Sequence, residues 1–223
     1  MIYKALASLS SLTKLTFQSM GEFSSSEEEF DEVERPHPRE EFRIDFINLY
    51  RLGLCDCLAL SALPGCRFRD VQRNLQEDLD SLLRRGITHV MVLMEESEFR
   101  RYRVPGLLAE YSNLGLNVIH HSMEDGNVPS LHQLFMAVEN VKSVISGGGR
   151  LLVHCYGGLG RTCLVVAAFL LSIDPHMTPQ YVIDLLREKR GPRAVQTVRQ
   201  YNMIMDFRDH QRDLAARSRS VSR

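Results

Sequence analysis

The stretch 151–162 reads Leu151-Leu152-Val153-His154-Cys155-Tyr156-Gly157-Gly158-Leu159-Gly160-Arg161-Thr162. Its apolar start predicts a short buried strand, and the apolar run after Arg161 predicts a helix. The glycines between them let backbone N–H groups turn towards a common centre, where the helix N-terminus adds partial positive charge. The stretch therefore predicts a cradle for a phosphate group between a strand and a helix.

Two side chains at the ends of this loop suit chemistry on a bound phosphate. Arg161 offers a planar fork of donors for two phosphate oxygens. The positive field of the loop favours a thiolate at Cys155, and a thiolate that faces phosphorus is an activated nucleophile. A nucleotide-binding loop is excluded because the Gly-Lys-Ser/Thr ending is missing. We predict Cys155 as the nucleophile, with these phosphate ligands: Tyr156, Gly157, Gly158, Leu159, Gly160 and Arg161.

The composition of the 223-residue chain is that of an ordinary globular protein, with 44% apolar residues, 25% charged residues and a net charge of -1. The length fits one domain with tails. The near-neutral charge gives no support for general nucleic-acid binding. We expect a disordered acidic N-terminal tail over 1–41, one folded domain over 42–215 and a disordered C-terminal tail over 216–223.

Apolar periodicity predicts strands that alternate with helices. Strands are expected over 54–60, 87–94, 116–122 and 151–153. Helices are expected after the capping residue Asp70 and up to Gly86, from Pro105, after Ser130 with Gln133, over 161–172, after Thr178, and after Thr197 with Gln200. This alternation predicts an α/β fold with helices on both faces of a sheet.

The five cysteines, at positions 55, 57, 66, 155 and 163, are odd in number and favour a reduced, intracellular setting. Cys55 and Cys57 are too close in sequence for a zinc site and fit burial in a strand. The apolar run 163–171 is too short to span a bilayer. We expect a monomer without membrane or nucleic-acid partners, in the cytoplasm, with a perinuclear or nuclear location as the alternative.

The pattern His154-Cys155, five residues, then Arg161-Thr162 resembles the motif of the protein-tyrosine-phosphatase superfamily, and the small size resembles its dual-specificity branch. Further segments look like the kinase-associated members of that branch: 63–70, 102–105, 120–121 with 124–126, and 194–197. The resemblance covers about Glu22 to Arg223. It implies a dual-specificity phosphatase domain over 42–215, a mixed, mostly parallel sheet, and a two-step reaction through a phosphocysteine.

The resemblance also implies roles for four further residues. Asp125 would protonate the leaving oxygen and later activate water; a plain turn-forming role and a competing acid at Glu124 stay open. Thr162 would donate a hydrogen bond to the Cys155 sulfur, with a first-turn role as the alternative. His154 would orient the loop through hydrogen bonds to backbone groups. Gln196 would position water, and the alternative is that it is only a polar residue ahead of a helix.

The implied function is a protein phosphatase in cell-cycle control that removes phosphate from phosphothreonine, phosphoserine and phosphotyrosine. The implied partner is a phosphorylated cyclin-dependent kinase, attacked at its activation-loop threonine. A kinase-binding pseudophosphatase and a phosphatase of lipid or RNA are the alternatives. Retention of Cys155, Arg161 and Asp125 speaks against the first, and the absence of lysine from 156–160 against the second. The mechanism requires no metal or other cofactor, so we expect none.

Overall fold

The strand expected at 151–153 lies in the middle of a five-stranded sheet. The computed structural model describes residues 41–50 and 54–221. Within them the strands are β1 (Ile44–Leu49), β2 (Leu54–Ser61), β5 (His89–Val92), β6 (Asn117–His120) and β7 (Leu151–His154), and a small second sheet holds β3 (Arg67–Phe68) and β4 (Val71–Gln72). The order β1-β2-β7-β5-β6 leaves β7 buried along its whole length.

The register of the sheet aligns the strand ends that precede the loop at 155–160. β1 pairs antiparallel with β2, and the other pairs are parallel, so the expected mixed, mostly parallel sheet is confirmed. Ser61 of β2 and Val92 of β5 both lie opposite His154 of β7. The segments that follow these three strands therefore meet at one edge of the sheet, the place where open α/β sheets bind ligands.

Helices cover both faces of the sheet, as expected. They are α1 (Leu75–Arg84), α2 (Glu96–Arg101), α3 (Leu107–Asn113), α4 (Leu131–Ser146), α5 (Arg161–Ile173), α6 (Pro179–Arg190), α7 (Val198–Met205) and α8 (Phe207–Val221). The connections from β2 to β5 and from β5 to β6 cross the sheet in one direction, whereas α4 returns from β6 to β7. Because such crossovers are right-handed, α4 lies on the face opposite α1 and α3.

The apolar run 163–171 is the buried part of α5, which packs against α4 and β7. Every residue of α5 from Arg161 to Leu171 is buried. A helix that is apolar on all sides belongs in a protein core. Within the described part of the chain, no helix is both long and apolar enough to cross a membrane.

Capping residues read from the sequence begin several of these helices. Ser130 Oγ accepts from Gln133 N at 3.2 Å, and Gln133 Oε1 accepts from Ser130 N at 3.0 Å. Thr178 Oγ1 accepts from Tyr181 N at 3.2 Å at the start of α6. These bonds satisfy N–H groups that a helix leaves unpaired in its first turn.

The cap expected at Asp70 is wrong, because α1 begins four residues later. Asn74 Oδ1 accepts from Gln76 N at 3.0 Å and from Glu77 N at 3.3 Å. Asp70 instead lies exposed in the turn between β3 and β4. Aspartate and asparagine cap helices equally well, so residue type alone did not separate the two positions.

At the C-terminal end of the described residues, α8 extends into the segment that we predicted to be a tail. We expected disorder over 216–223, whereas α8 continues to Val221. The sequence Leu214-Ala215-Ala216 consists of strong helix formers, which favours this continuation. The predicted tail over 1–41 lies outside the described residues apart from Glu41, as do Ser222 and Arg223, so the domain limits stay predictions.

We expect Asn74→Ala to lower the free energy of unfolding by about 1 kcal/mol, because two N–H groups lose their acceptor. Asp70→Ala is the matched control and should change it by less than about 0.5 kcal/mol. Urea denaturation of the full chain measures both. An equal or larger loss in Asp70→Ala would contradict the placement of the cap.

Candidate active site

An open cleft lies at the end of β7, where Cys155 follows the strand. The loop contributes Cys155, Tyr156, Gly157 and Leu159 to its lining, and Asp125 and Gln196 face the same cleft. The structure thus brings together the predicted nucleophile, the predicted acid and the predicted water-positioning residue. Gly158, Gly160 and Arg161 are buried beneath this surface.

Two of the three loop glycines lie close to neighbouring segments. Gly158 has a φ of +67°, and a Cβ there would clash with the backbone of Ser61. A Cβ at Gly160 would lie 2.8 Å from Gln196 Oε1. Gly157 is different, because its nearest neighbours would be side-chain atoms of Leu159 at 3.8 Å. The loop can therefore pack against β2 only without a side chain at 158, whereas a side chain at 160 would displace the amide groups of Gln196 and Gln200.

Arg190 at the end of α6 holds two peptide groups of the loop in a fixed orientation. The sequence alone did not indicate this role. Arg190 Nη2 donates to Gly157 O at 3.0 Å and its Nε to Gly158 O at 3.2 Å, while its Nη1 pairs with Asp45 Oδ2 at 2.7 Å. The C=O and N–H of a peptide point in opposite directions. The N–H groups of Gly158 and Leu159 consequently point away from Arg190, as an anion cradle requires.

Arg161 is held from below by Glu98, a residue that the sequence analysis did not single out. Arg161 Nη1 donates to Glu98 Oε2 at 2.6 Å and Arg161 Nη2 to Glu98 Oε1 at 2.8 Å. Arg161 Nη1 also donates to Met123 O at 2.9 Å and to Leu93 O at 3.2 Å. Burial alone would lower the pKa of Arg161, but the hydrogen-bonded Glu98 carboxylate raises it above its usual value.

This arrangement decides which edge of the guanidinium remains for a ligand. Glu98 occupies the edge formed by Nη1 and Nη2 of Arg161. On the other edge, Nη2 pairs with Asp125 Oδ1 at 3.0 Å, and Nε is buried without a hydrogen-bond partner among the described residues. The expected grip on two phosphate oxygens is thus available at the Nε and Nη2 edge, where a buried donor needs an acceptor.

Asp125, and not Glu124, faces Arg161. Asp125 lies in a turn closed by a bond from Asn127 N to Glu124 O at 3.4 Å, with Gly126 at a φ of +74°. The Glu124 carboxylate accepts from Asn127 Nδ2 at 3.0 Å within the same turn. The side chain of Asp125 is 57% exposed, so it can reach both the cleft and solvent.

Gln200 of α7 connects the turn at 124–127, which carries Asp125 and is called the acid turn below, with the segment that carries Gln196. Its Oε1 accepts from Gln196 N at 3.0 Å, and its Nε2 donates to Asn127 O at 3.4 Å. The helix start is fixed by the expected bond from Gln200 N to Thr197 Oγ1 at 3.2 Å. Gln200 is buried, and we had read it from the sequence only as part of that cap.

His154 is tied to the backbone of Cys155, as we expected for a residue that orients the loop. Its Nδ1 lies 3.3 Å from Cys155 O and its Nε2 lies 2.9 Å from Tyr111 Oη. Burial lowers the pKa of His154 to about 4 and raises the pKa of Tyr111 well above its usual value. Both groups are therefore neutral near pH 7, so we assign Tyr111 O–H as donor to Nε2 and Nδ1–H as donor to Cys155 O.

Thr162 and Cys163 follow Arg161 inside the core. The Thr162 hydroxyl is buried and has no hydrogen-bond partner among the described residues, so the bond to the Cys155 sulfur is not formed in this structure. Cys163 Sγ lies 3.6 Å from Gly158 O, and burial raises the pKa of its thiol to about 12. Cys163 is therefore a protonated core residue and not a second nucleophile.

Tyr156 is fixed by an aromatic cluster beside the cleft. Its ring stacks on Tyr102, with centroids 4.2 Å apart and planes at 14°. Phe68 meets Tyr102 and Tyr156 edge-on, at centroid distances of 5.2 Å and 6.2 Å. These contacts join Tyr156 to Tyr102, which follows α2, and to Phe68 of β3, and Tyr156 lines the cleft beside Cys155.

The chain is similar to known proteins over most of its length. A family model described as cyclin-dependent kinase inhibitor 3 (CDKN3) matches residues 14–183. Proteins called cyclin-dependent kinase inhibitor 3 from Rattus norvegicus and Homo sapiens are 41% and 40% identical over 207 and 206 residues, which cover 91% of this chain and 95% of each relative.

Solved structures agree with these matches. A crystal structure of kinase associated phosphatase, with its catalytic-site cysteine substituted by serine, is 38% identical, has a TM-score of 0.73, and covers 78% of this chain and 97% of that chain. Tk-PTP in its active form is 28% identical, with a TM-score of 0.56 over 68% of this chain and 91% of that chain. The resemblance inferred from the motif at 154–162 is confirmed: the chain belongs to the cyclin-dependent kinase inhibitor 3 family, with the fold of the dual-specificity protein phosphatases.

Proposed function

We propose that this chain is a cysteine-dependent protein phosphatase that hydrolyses phosphothreonine, phosphoserine and phosphotyrosine through a phosphocysteine. The observation that carries this proposal is the state of Arg161. Glu98 fixes one edge of its guanidinium, and the other edge offers an Nε that is buried and has no hydrogen-bond partner among the residues that the structure describes. A phosphate oxygen supplies the acceptor that this edge lacks.

In the first step, the Cys155 thiolate attacks phosphorus while the loop N–H groups and Arg161 hold the phosphoryl oxygens. A bond forms between sulfur and phosphorus, and the bond from phosphorus to the substrate oxygen breaks. Protonated Asp125 donates its proton to that oxygen, so an alcohol or a phenol leaves instead of an anion. The products of this step are the free hydroxyl side chain and a phosphocysteine at 155.

In the second step, Asp125 as carboxylate accepts a proton from water, whose oxygen attacks phosphorus. The bond from sulfur to phosphorus breaks, and inorganic phosphate and the Cys155 thiolate are released. Gln196 lines the cleft next to this position and is fixed through Gln200, which supports a role in holding the water. The Thr162 hydroxyl is a buried donor without a partner among the described residues, available to the leaving sulfur.

The ion pair between Asp125 and Arg161 fits this sequence of events. Asp125 Oδ1 pairs with Arg161 Nη2, which is one of the nitrogens that would donate to a bound phosphate oxygen. Binding of phosphate at the Nε and Nη2 edge displaces Asp125 from Arg161. The carboxyl group then lies beside the bound phosphate, free to meet the leaving oxygen, and its turn stays anchored to α7 by Arg199 Nη1 and Gln200 Nε2 on Asn127.

We expect Asp125→Asn to lower kcat for a phosphothreonine peptide by about 10²–10⁴-fold, because an alkoxide leaves poorly without a proton. The loss should be much smaller for an aryl phosphate whose phenol is acidic. Steady-state kinetics on both substrates measures the difference. Glu124→Gln is the matched control and should keep most of the activity; an equal loss in Glu124→Gln would reassign the acid.

We expect Glu98→Gln to destabilise the protein by about 3–5 kcal/mol, because it removes the buried carboxylate that pairs with Arg161 and leaves only the exposed Asp125 beside that charge. The remaining folded enzyme should bind phosphate monoesters more weakly, since the guanidinium is no longer held. Denaturant unfolding and KM measure the two effects. Glu96→Gln, at an exposed position of the same helix, should change stability by less than about 0.5 kcal/mol; similar losses in both variants would refute the role of the pair.

We further propose that the substrate is a cyclin-dependent kinase phosphorylated on its activation-loop threonine, which sets the enzyme in cell-cycle control in the cytoplasm or nucleus. The support is the name of the relatives, which are called cyclin-dependent kinase inhibitor 3 and kinase associated phosphatase. Residues 156–160 carry no basic side chain, which fits a single phosphoryl group better than a highly charged lipid or RNA.

We expect Cys155→Ser to abolish phosphate release and to retain the phosphorylated kinase from cell extract, because binding survives without the nucleophile. The same kinase stripped of its phosphate is the control and should be retained far less. Equal retention of both forms, together with no phosphate release by the unchanged enzyme, would indicate a kinase-binding pseudophosphatase. Faster release of phosphate from inositol lipids than from the kinase would overturn the protein substrate.

A further inference from the structure

The cleft around Cys155 is lined by more basic than acidic side chains. Its lining includes four arginines, at positions 43, 73, 190 and 193, against two acids, Glu41 and Asp125. Arg190 is committed to the loop carbonyls and to Asp45. Arg43 donates to Asp45 Oδ1 at 3.0 Å and to Lys189 O at 3.2 Å. These two arginines therefore serve the framework of the cleft.

Arg193 differs from these two arginines. It is exposed, it lines the cleft, and its guanidinium makes neither a hydrogen bond nor an ion pair with any residue that the structure describes. An arginine held at the rim of a cleft without a counter-ion is a ready partner for a carboxylate or a phosphate, since its fork matches both.

The backbone around Arg193 is fixed on both sides, so the side chain starts from a defined position. Ala194 N donates to Gly191 O at 3.0 Å, and Val195 N donates to Leu159 O of the catalytic loop at 2.8 Å. Ala194 is fully buried. Arg193 is thus tied to the loop at 155–160 through Val195, two residues further along the chain, while its own side chain is exposed at the cleft.

We propose that Arg193 forms a second anion subsite, which binds a carboxylate side chain or a second phosphoryl group on the polypeptide that carries the reacting phosphoresidue. The inference rests on the proposed function and names a feature of its substrate. Arg161 and the loop bind the phosphoryl group that reacts, and Arg193 binds a neighbouring negative charge on the same substrate polypeptide. Substrates with an acidic or phosphorylated residue near the reacting one are preferred.

The contact between Arg193 and the substrate anion should affect KM and kcat differently. Arg193 does not touch the reacting atoms, so it stabilises the bound substrate and the transition state equally, and the preference should appear in KM and not in kcat. The contact is between exposed charges, so rising ionic strength should reduce it. For such a pair the expected preference is about fivefold.

The test compares phosphothreonine peptides that differ in one flanking residue. A glutamate, a phosphoserine or a glutamine is moved stepwise from the N-terminal to the C-terminal side of the phosphothreonine. The ratio of kcat/KM between the acidic and the glutamine peptide is measured for the full-length enzyme, Arg193→Gln, Arg193→Lys and Arg84→Gln. Arg84 is the matched control, because it is an exposed arginine on α1 outside the cleft lining.

At the best position we expect a ratio of about five for the unchanged enzyme and for Arg84→Gln, a ratio near one for Arg193→Gln, and an intermediate ratio for Arg193→Lys, which keeps the charge without the fork. The glutamate and phosphoserine peptides show which anion is preferred. A ratio near one in the unchanged enzyme, or an unchanged ratio in Arg193→Gln, would refute the subsite and leave the phosphatase proposal intact. Inactivity on every peptide would also refute the subsite, and inactivity on the phosphorylated kinase as well would refute the proposed function.

Discussion

The buried ion pair between Arg161 and Glu98 is the interaction on which the site depends. Burying a guanidinium and a carboxylate costs several kcal/mol per ion unless each finds its partner and its remaining hydrogen bonds. Here the carboxylate also accepts from Glu95 N at 2.9 Å, and the guanidinium also donates to the carbonyls of Leu93 and Met123. The pair thereby joins the segment after β5, the start of the acid turn and the first residue of α5.

The same ion pair fixes the orientation of the Arg161 guanidinium. A free arginine on a helix start has several rotamers and five donors, and a ligand would have to order them at an entropic cost. With Nη1 and Nη2 engaged by Glu98, only the edge formed by Nε and Nη2 remains for a ligand, so the guanidinium is ordered before a ligand arrives. Pre-organised donors of this kind stabilise developing charge without reorganisation at the moment of reaction.

Local patterns in the sequence predicted the elements that surround the loop, and long-range contacts explain what they missed. The period of apolar residues and the caps at Ser130, Thr178 and Thr197 predicted helices that the structure contains, because these signals act within one turn. Glu98 and Arg190 act on residues 63 and 32 positions away, and nothing in their own neighbourhoods marks them. Asp70 shows the opposite error: a good local cap was outcompeted by Asn74 once Val71 joined β4.

Arg190 has a consequence for the order in which the site is completed during synthesis. A nascent chain that has just emerged through Thr162 contains the whole motif from His154 onward, yet the carbonyls of Gly157 and Gly158 still lack their donors. Those donors arrive only at the end of α6, and Arg190 also needs Asp45 of the first strand as its counter-ion. The loop therefore reaches its final geometry only when the earliest strand and a late helix of the domain have come together, well after its own residues have left the ribosome.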